Sequence, residues 1–168
     1  MNTVAHKGVA VTDDHEYHLH LLVCMDRLNA AWWTLKQIEV DSSQPLVGPA
    51  FRYALVEYAT AFTRSDSPSK KRRFLPESMV PPTHLVLHQR IISARNSIHT
   101  HADLTILEAQ LELYVVGGER QITRVENFIH GLEELTNLRD VVAMVEGVLR
   151  NLYVEHEKSK QRIAVGFS

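Results

Sequence analysis

The sequence predicts an all-α fold: a bundle of four to five helices with a small β-hairpin between the third and last long helices. Three observations predict it. Apolar residues recur every three or four positions in four long segments. Breaks rich in proline, glycine and serine separate the first three of these segments. One later stretch changes to two-residue alternation and ends in Gly117–Gly118, a hairpin turn signal.

The first helix begins at Asp13 and Asp14, acids that suit a helix start and its positive end. Leu19, Leu22, Val23, Asp26, Ala30, Trp33 and Gln37 recur at helical spacing, which carries the helix to about Glu39. "DSSQPLVGP" breaks the chain. Pro49 suits the first turn of a second helix, striped by Phe51, Leu55, Tyr58, Ala59 and Phe62. "SDSPSKKRRFLPESMVPP" reads as a loop. The third helix opens after Pro82, with Leu85, Leu87, Ile91, Ile92, Ala94 and Ile98 as its apolar set. Leu111, Leu113 and Val115 alternate into the hairpin, and a short helical turn follows near Leu132 to Leu135. The last helix runs from about Thr136, its cap, to Lys160, with Leu138, Val141, Val142, Val145, Leu149 and Leu152 inward. Residues 1–12 read as an arm, 13–160 as one domain and 161–168 as a tail.

At 168 residues and 45% apolar, the chain can bury one core. It has no apolar run near the ~20 residues a membrane helix needs. Its start, "MNTVAHKGVAVTDDHEYH", lacks the pattern of a signal peptide. One cysteine, Cys24, lies in an apolar run and reads as a buried thiol. A cytoplasmic protein is the expectation, without membrane association. The net charge of −2 is uneven: Arg64 to Arg95 holds seven Lys/Arg against two acids, a local +5, which leaves −7 elsewhere. Such a segment could meet a few phosphates, whereas the whole chain would not coat nucleic acid.

"ARNSIHTHAD", Ala94 to Asp103, gathers Arg95, Asn96, His99 and His101 at the end of the third helix. The Arg–Asn–(four residues)–His spacing resembles the signature of the HEPN superfamily. The flanking "YALVEYATAFTR" and "HLVLHQRIISAR" also resemble small bacterial members, so the likeness covers residues 50 to 103. The resemblance implies a compact helical bundle and a homodimer with its site at the subunit interface. It also implies a metal-independent endoribonuclease of toxin–antitoxin or phage-defence systems. Many relatives instead act as binding scaffolds, so a non-catalytic dimeric module for a protein or nucleotide partner is the alternative.

The chemistry suits these residue types. Cutting RNA without metal needs proton transfer at neutral pH, which histidine supplies. It also needs a fixed planar cation on the phosphate, which arginine supplies. Arg95 would hold the phosphate, His101 would move protons and Asn96 would orient either one. On an ideal helix Arg95 and His101 lie ~9 Å apart along the axis and ~120° apart around it, so they need an irregular turn or a second subunit to meet. Lys70, Lys71, Arg72 and Arg73 would steer a single strand. His88 and His99 would extend the surface as part of a polar stripe with His84 and Arg95. An antitoxin or regulatory protein is a conceivable partner, and no cofactor is expected.

Three bland readings stand beside this one. Arg95 could pair with a carboxylate such as Glu57, His101 could cap a helix, and Trp32–Trp33 could be core or interface. His84 and His88 have the spacing of helical zinc ligands, and His15, His18 and His20 lie in "HEYHLH". No cysteine partner or HExxH accompanies them, so no metal site is expected.

Overall fold

A computed structural model describes residues 12–66, 71–99, 109–116, 119–126 and 132–165, with side chains for 12–64, 71–95 and 133–165. The four long helices are α1 (Asp13–Val40), α2 (Val47–Ala61), α3 (Leu85–His99) and α4 (Leu138–Val165). The predicted hairpin is present as β3 (Ala109–Val116) and β4 (Glu119–Glu126), antiparallel and in register with Leu113 opposite Ile122. The fold is the expected all-α bundle with a hairpin between its third and fourth helices.

α1 is the axis of the bundle and packs along both α2 and α4. Cys24 meets Ala61 while Arg27 meets Glu57, so α1 and α2 run antiparallel. Tyr17 meets Glu155 while Trp32 meets Glu146, so α1 and α4 are antiparallel too. The buried face of α1 is Leu21, Cys24, Leu28, Ala31, Leu35 and Ile38. These residues meet Phe51, Ala54, Leu55 and Tyr58 of α2 and Val141, Met144, Val145, Val148 and Leu152 of α4 in one cluster. Each fully buried leucine there contributes about 1.5–3 kcal/mol relative to exposure. α3 adds Leu87 and Ile91.

Several local readings are corrected. α1 is capped by Thr12 rather than Asp13 or Asp14. The His15 amide donates to Thr12 Oγ1, and the Thr12 amide donates to His15 Nδ1. α2 starts two residues before Pro49. α3 is preceded by a 3-10 turn at Pro82–His84, with Pro82 in its first turn, where a missing amide costs no hydrogen bond, so α3 itself begins at Leu85. A 3-10 segment, Leu132–Asn137, takes in Thr136, so α4 begins at Leu138. α4 continues through residues 161–165, which the sequence reading assigned to a tail. The segment between α2 and α3 is more ordered than a plain loop. β1 (Ser65–Asp66) and β2 (Arg72–Arg73) form a short antiparallel ladder. The Leu75 amide then donates to Ala61 O, and Asn151 of α4 donates to Met79 O.

Candidate functional site

α3 carries the residues that motivated the catalytic reading. Arg95 is half-buried on its inner half, four residues after Ile91 of the core. Asn96 and His99 are helical in the last turns of α3, where only their backbone is described. His101 lies outside the described residues. The helical spacing puts Arg95 and His99 on one face. Glu57, the carboxylate considered for Arg95, instead accepts from Arg27 Nη1 at 3.1 Å.

His88 does not belong to a phosphate-binding surface. It is only 2% exposed, and its Nδ1 shares a 2.8 Å hydrogen bond with the Tyr58 hydroxyl. The Phe62 ring packs edge-on against it with centroids 4.6 Å apart. Burial holds the His88 pKa below its ordinary value, with a partly opposing pull from Glu77. A neutral ring in an aromatic box cannot reach a nucleic-acid backbone, so the polar stripe expected along α3 is interrupted there. His84, half-buried, has its Nδ1 3.2 Å from Thr83 Oγ1.

The basic segment is engaged with the start of α1. Lys71 pairs with Asp13 at 2.9 Å, and Arg73 pairs with the same carboxylate and with Glu16 at 3.7 Å. The Lys71 hydrogen bond, helped by Arg73, holds the Asp13 pKa below its usual value. Arg73 also lies over the Tyr17 ring, 5.8 Å from its centroid. Arg72 is exposed, and Lys70 lies outside the described residues. Two of the basic residues read along that segment are therefore paired with two acids of the first turn of α1.

Among the described residues no group of three or more His, Cys, Asp or Glu side chains is placed to hold a metal ion. His15 caps α1, and His18 stacks on His156 with centroids 4.8 Å apart while its Nδ1 lies 3.3 Å from Ser159 Oγ. Cys24 is buried, and desolvation pushes its thiol up to about 12.

The largest departure from the sequence reading lies on α1. The stripe of Leu19, Leu22, Val23, Asp26, Ala30, Trp33 and Gln37 lies on the side away from the buried stripe, with Leu22 and Ala30 half-buried and the rest exposed. Trp33 is 62% exposed, Leu19 57% and Val23 53%. Trp33 stacks on Trp32 with centroids 5.8 Å apart and planes 9° from parallel. Trp32 in turn is half-buried and donates its indole N–H to Glu146 at 3.0 Å. Asn29, Ala30, Trp32 and Trp33 line a shallow, mostly apolar depression. Tyr153 of α4, also exposed, accepts from Asn29 beside it. Sequence reasoning found the stripe but not its direction. The available signal was a second apolar set, Leu21 to Ile38, half a turn away on the same helix.

Comparison with models of known protein families, with curated proteins and with solved structures returned no match. Among the described residues no helix is long and apolar enough to cross a membrane.

Proposed function

We propose that this chain is a helical interaction module whose working surface is the outer face of α1. One observation carries the reading: three large apolar side chains, Leu19, Val23 and Trp33, stand more than half exposed in a single helical stripe. Single exposed apolar residues are ordinary, whereas here Leu19 and Val23 adjoin on one helical face and Trp33 extends the same face beyond Asp26 and Ala30. The stacked pair suits that role. Trp32 is fixed by Glu146 and holds Trp33 flat and outward, a rigid aromatic anchor that loses little entropy on binding. The test places a photo-cross-linking residue at position 33 in the source cell. The expected result is a discrete protein adduct that disappears when Leu19 and Val23 are changed to serine. No adduct at position 33 would overturn the reading.

A second reading rests on the HEPN resemblance of Arg95, Asn96 and His101; Arg95 and Asn96 lie in the last turns of α3, and His101 lies outside the described residues. On this reading the chain is a metal-independent endoribonuclease acting on single-stranded RNA as a dimer. Arg95 holds the phosphate, His101 transfers protons, Asn96 orients them and His99 adds to the surface. The products are a 2′,3′-cyclic phosphate and a 5′-hydroxyl. The test is cleavage of varied RNAs in EDTA by the wild type and by His101→Ala. Cleavage lost in the variant supports it; equal cleavage by both, or none by the wild type, excludes it.

A further inference from the structure

We propose that the crossing of α1 and α4 at His18 and His156 is a proton-operated clasp that releases the first turns of α1 on mild acidification. The two imidazole rings stack with centroids 4.8 Å apart and planes 23° from parallel. His156 is buried, and so is Ser159, whose Oγ lies 3.3 Å from His18 Nδ1. That hydrogen bond survives a proton on His18, because a hydroxyl donates or accepts with equal ease. The stack does not survive two protons, because the rings would then carry like charges face to face.

What the clasp holds follows from how α1 is fixed along its length. From Leu21 onward its inner face lies in the apolar core. Before Leu21, among the described residues, Tyr17 alone packs against that core. The other fastenings are polar. Tyr17 donates to Glu155 at 3.3 Å, Asp13 and Glu16 pair with Lys71 and Arg73, and His18 meets His156 and Ser159. This end of the helix can therefore part from α4 while the core stays closed, a local opening rather than an unfolding. Parting carries Asp13 and Glu16 away from Lys71 and Arg73, so the protons that open the clasp also uncover basic side chains.

The surrounding charges set the direction. His15 on α1 and His156 and Lys160 on α4 disfavour a proton on His18, and Glu157 favours one. Glu157 lies 3.4 Å from His156 Nδ1 and is itself paired with Lys160 at 3.0 Å. Arg73, from β2, and Arg162, from α4, lie over the adjacent Tyr17 ring. A first proton can reside on one ring near Glu157, and the second meets the charge of the first. Burial, and after it His156, hold the His18 pKa below its ordinary value. The released form therefore takes up protons more readily. The clasp is fully closed above about pH 6.5 and weakens as the pH falls through the folded value. Even at the dielectric constant of water, two unit charges at this separation shift an equilibrium roughly fourfold.

Amide hydrogen exchange of the full chain at about pH 7.5 and about pH 5.5, corrected for intrinsic rates, tests the clasp. Protection of the amides from Glu16 to His20 is expected to fall roughly fourfold or more at the lower pH, beyond any fall from Leu28 to Leu35 in the same helix. His156→Phe keeps a ring that takes no proton, and His18→Gln can keep a hydrogen bond to Ser159. Both should lose the additional fall. His20→Gln, outside the stack, should retain most of it. Circular dichroism checks that each variant is helical, and His18→Gln decides alone if His156→Phe does not fold. The proposal is overturned by constant protection in the wild type, by an equal fall throughout α1, or by an additional fall that persists in His18→Gln.

Discussion

The Tyr58 hydroxyl and His88 Nδ1 meet at 2.8 Å in the interior, joining α2 to α3 across thirty residues of sequence. Among the described contacts this is the buried polar link between those helices, and Phe62 closes over it. Burial raises the Tyr58 pKa and lowers that of His88, so both groups are neutral and each satisfies the other. Tyr58→Phe is expected to destabilise the fold by about 1–3 kcal/mol, because it leaves a buried ring nitrogen without its partner. Urea denaturation of the variant measures this. An unchanged midpoint would mean that water replaces the hydroxyl.

Acid should unfold this protein from the histidines inward. Desolvation holds His18, His20 and His88 below the ordinary 6.5, and His156 adds to the effect at His18. A histidine with a depressed folded pKa binds protons more readily when unfolded. Its contribution to stability is therefore complete above the unfolded value and is lost as pH falls through the folded one. Thermal unfolding is expected at a constant midpoint above about pH 7 and at falling midpoints below about 6.5. In His88→Gln the slope should be shallower. A midpoint that rises on acidification would contradict the assignment.

Cys24 should be chemically silent in the folded state. The residue is 2% exposed, its sulfur lies beside Ala61 O and the His20 ring, and desolvation raises the thiol to about 12. Thiol reagents at pH 8 are expected to label it only at the rate of unfolding, and fully in denaturant. Fast labelling of the native chain would show that the α1–α2 seam opens.

Gly147 lets α4 pass close to Pro81. A Cβ built there would lie 2.4 Å from Pro81 Cγ. Alanine is the better helix former by about 0.8–1 kcal/mol. Overpacking of this kind costs about 1–3 kcal/mol. Gly147→Ala is therefore expected to be net destabilising in chemical denaturation. A stabilised variant would show that the proline ring moves aside.

Legibility followed how one-sided each helix is. α2 and α4 carry a single apolar face, and the residues named from sequence on each are buried or half-buried in the structure. α1 is apolar around much of its girth, so period alone could not say which face goes inward. The small Cys24 and Ala31 on the inner face admit the neighbouring helices, whereas Trp33 on the outer face would hold them off. His88 was misread because its partner is thirty residues away and a histidine in an apolar run looks like a surface feature. Likewise Lys71 and Arg73 looked available because Asp13 and Glu16 are remote in sequence. At the α3 terminus the spacing of Arg95, Asn96 and His101 was legible.

The junction of Asp13 and Glu16 with Lys71 and Arg73 makes the first turn of α1 an electrostatic mask over β2. Whatever removes or neutralises those two acids changes the polarity of that flank without altering a single basic residue. Asp13→Asn with Glu16→Gln is expected to bind a sulfonate column more tightly than the two lost charges would on an unmasked surface, with the difference vanishing in high salt. The cationic character of this protein is thus latent, governed by a helix end rather than by the segment that bears it.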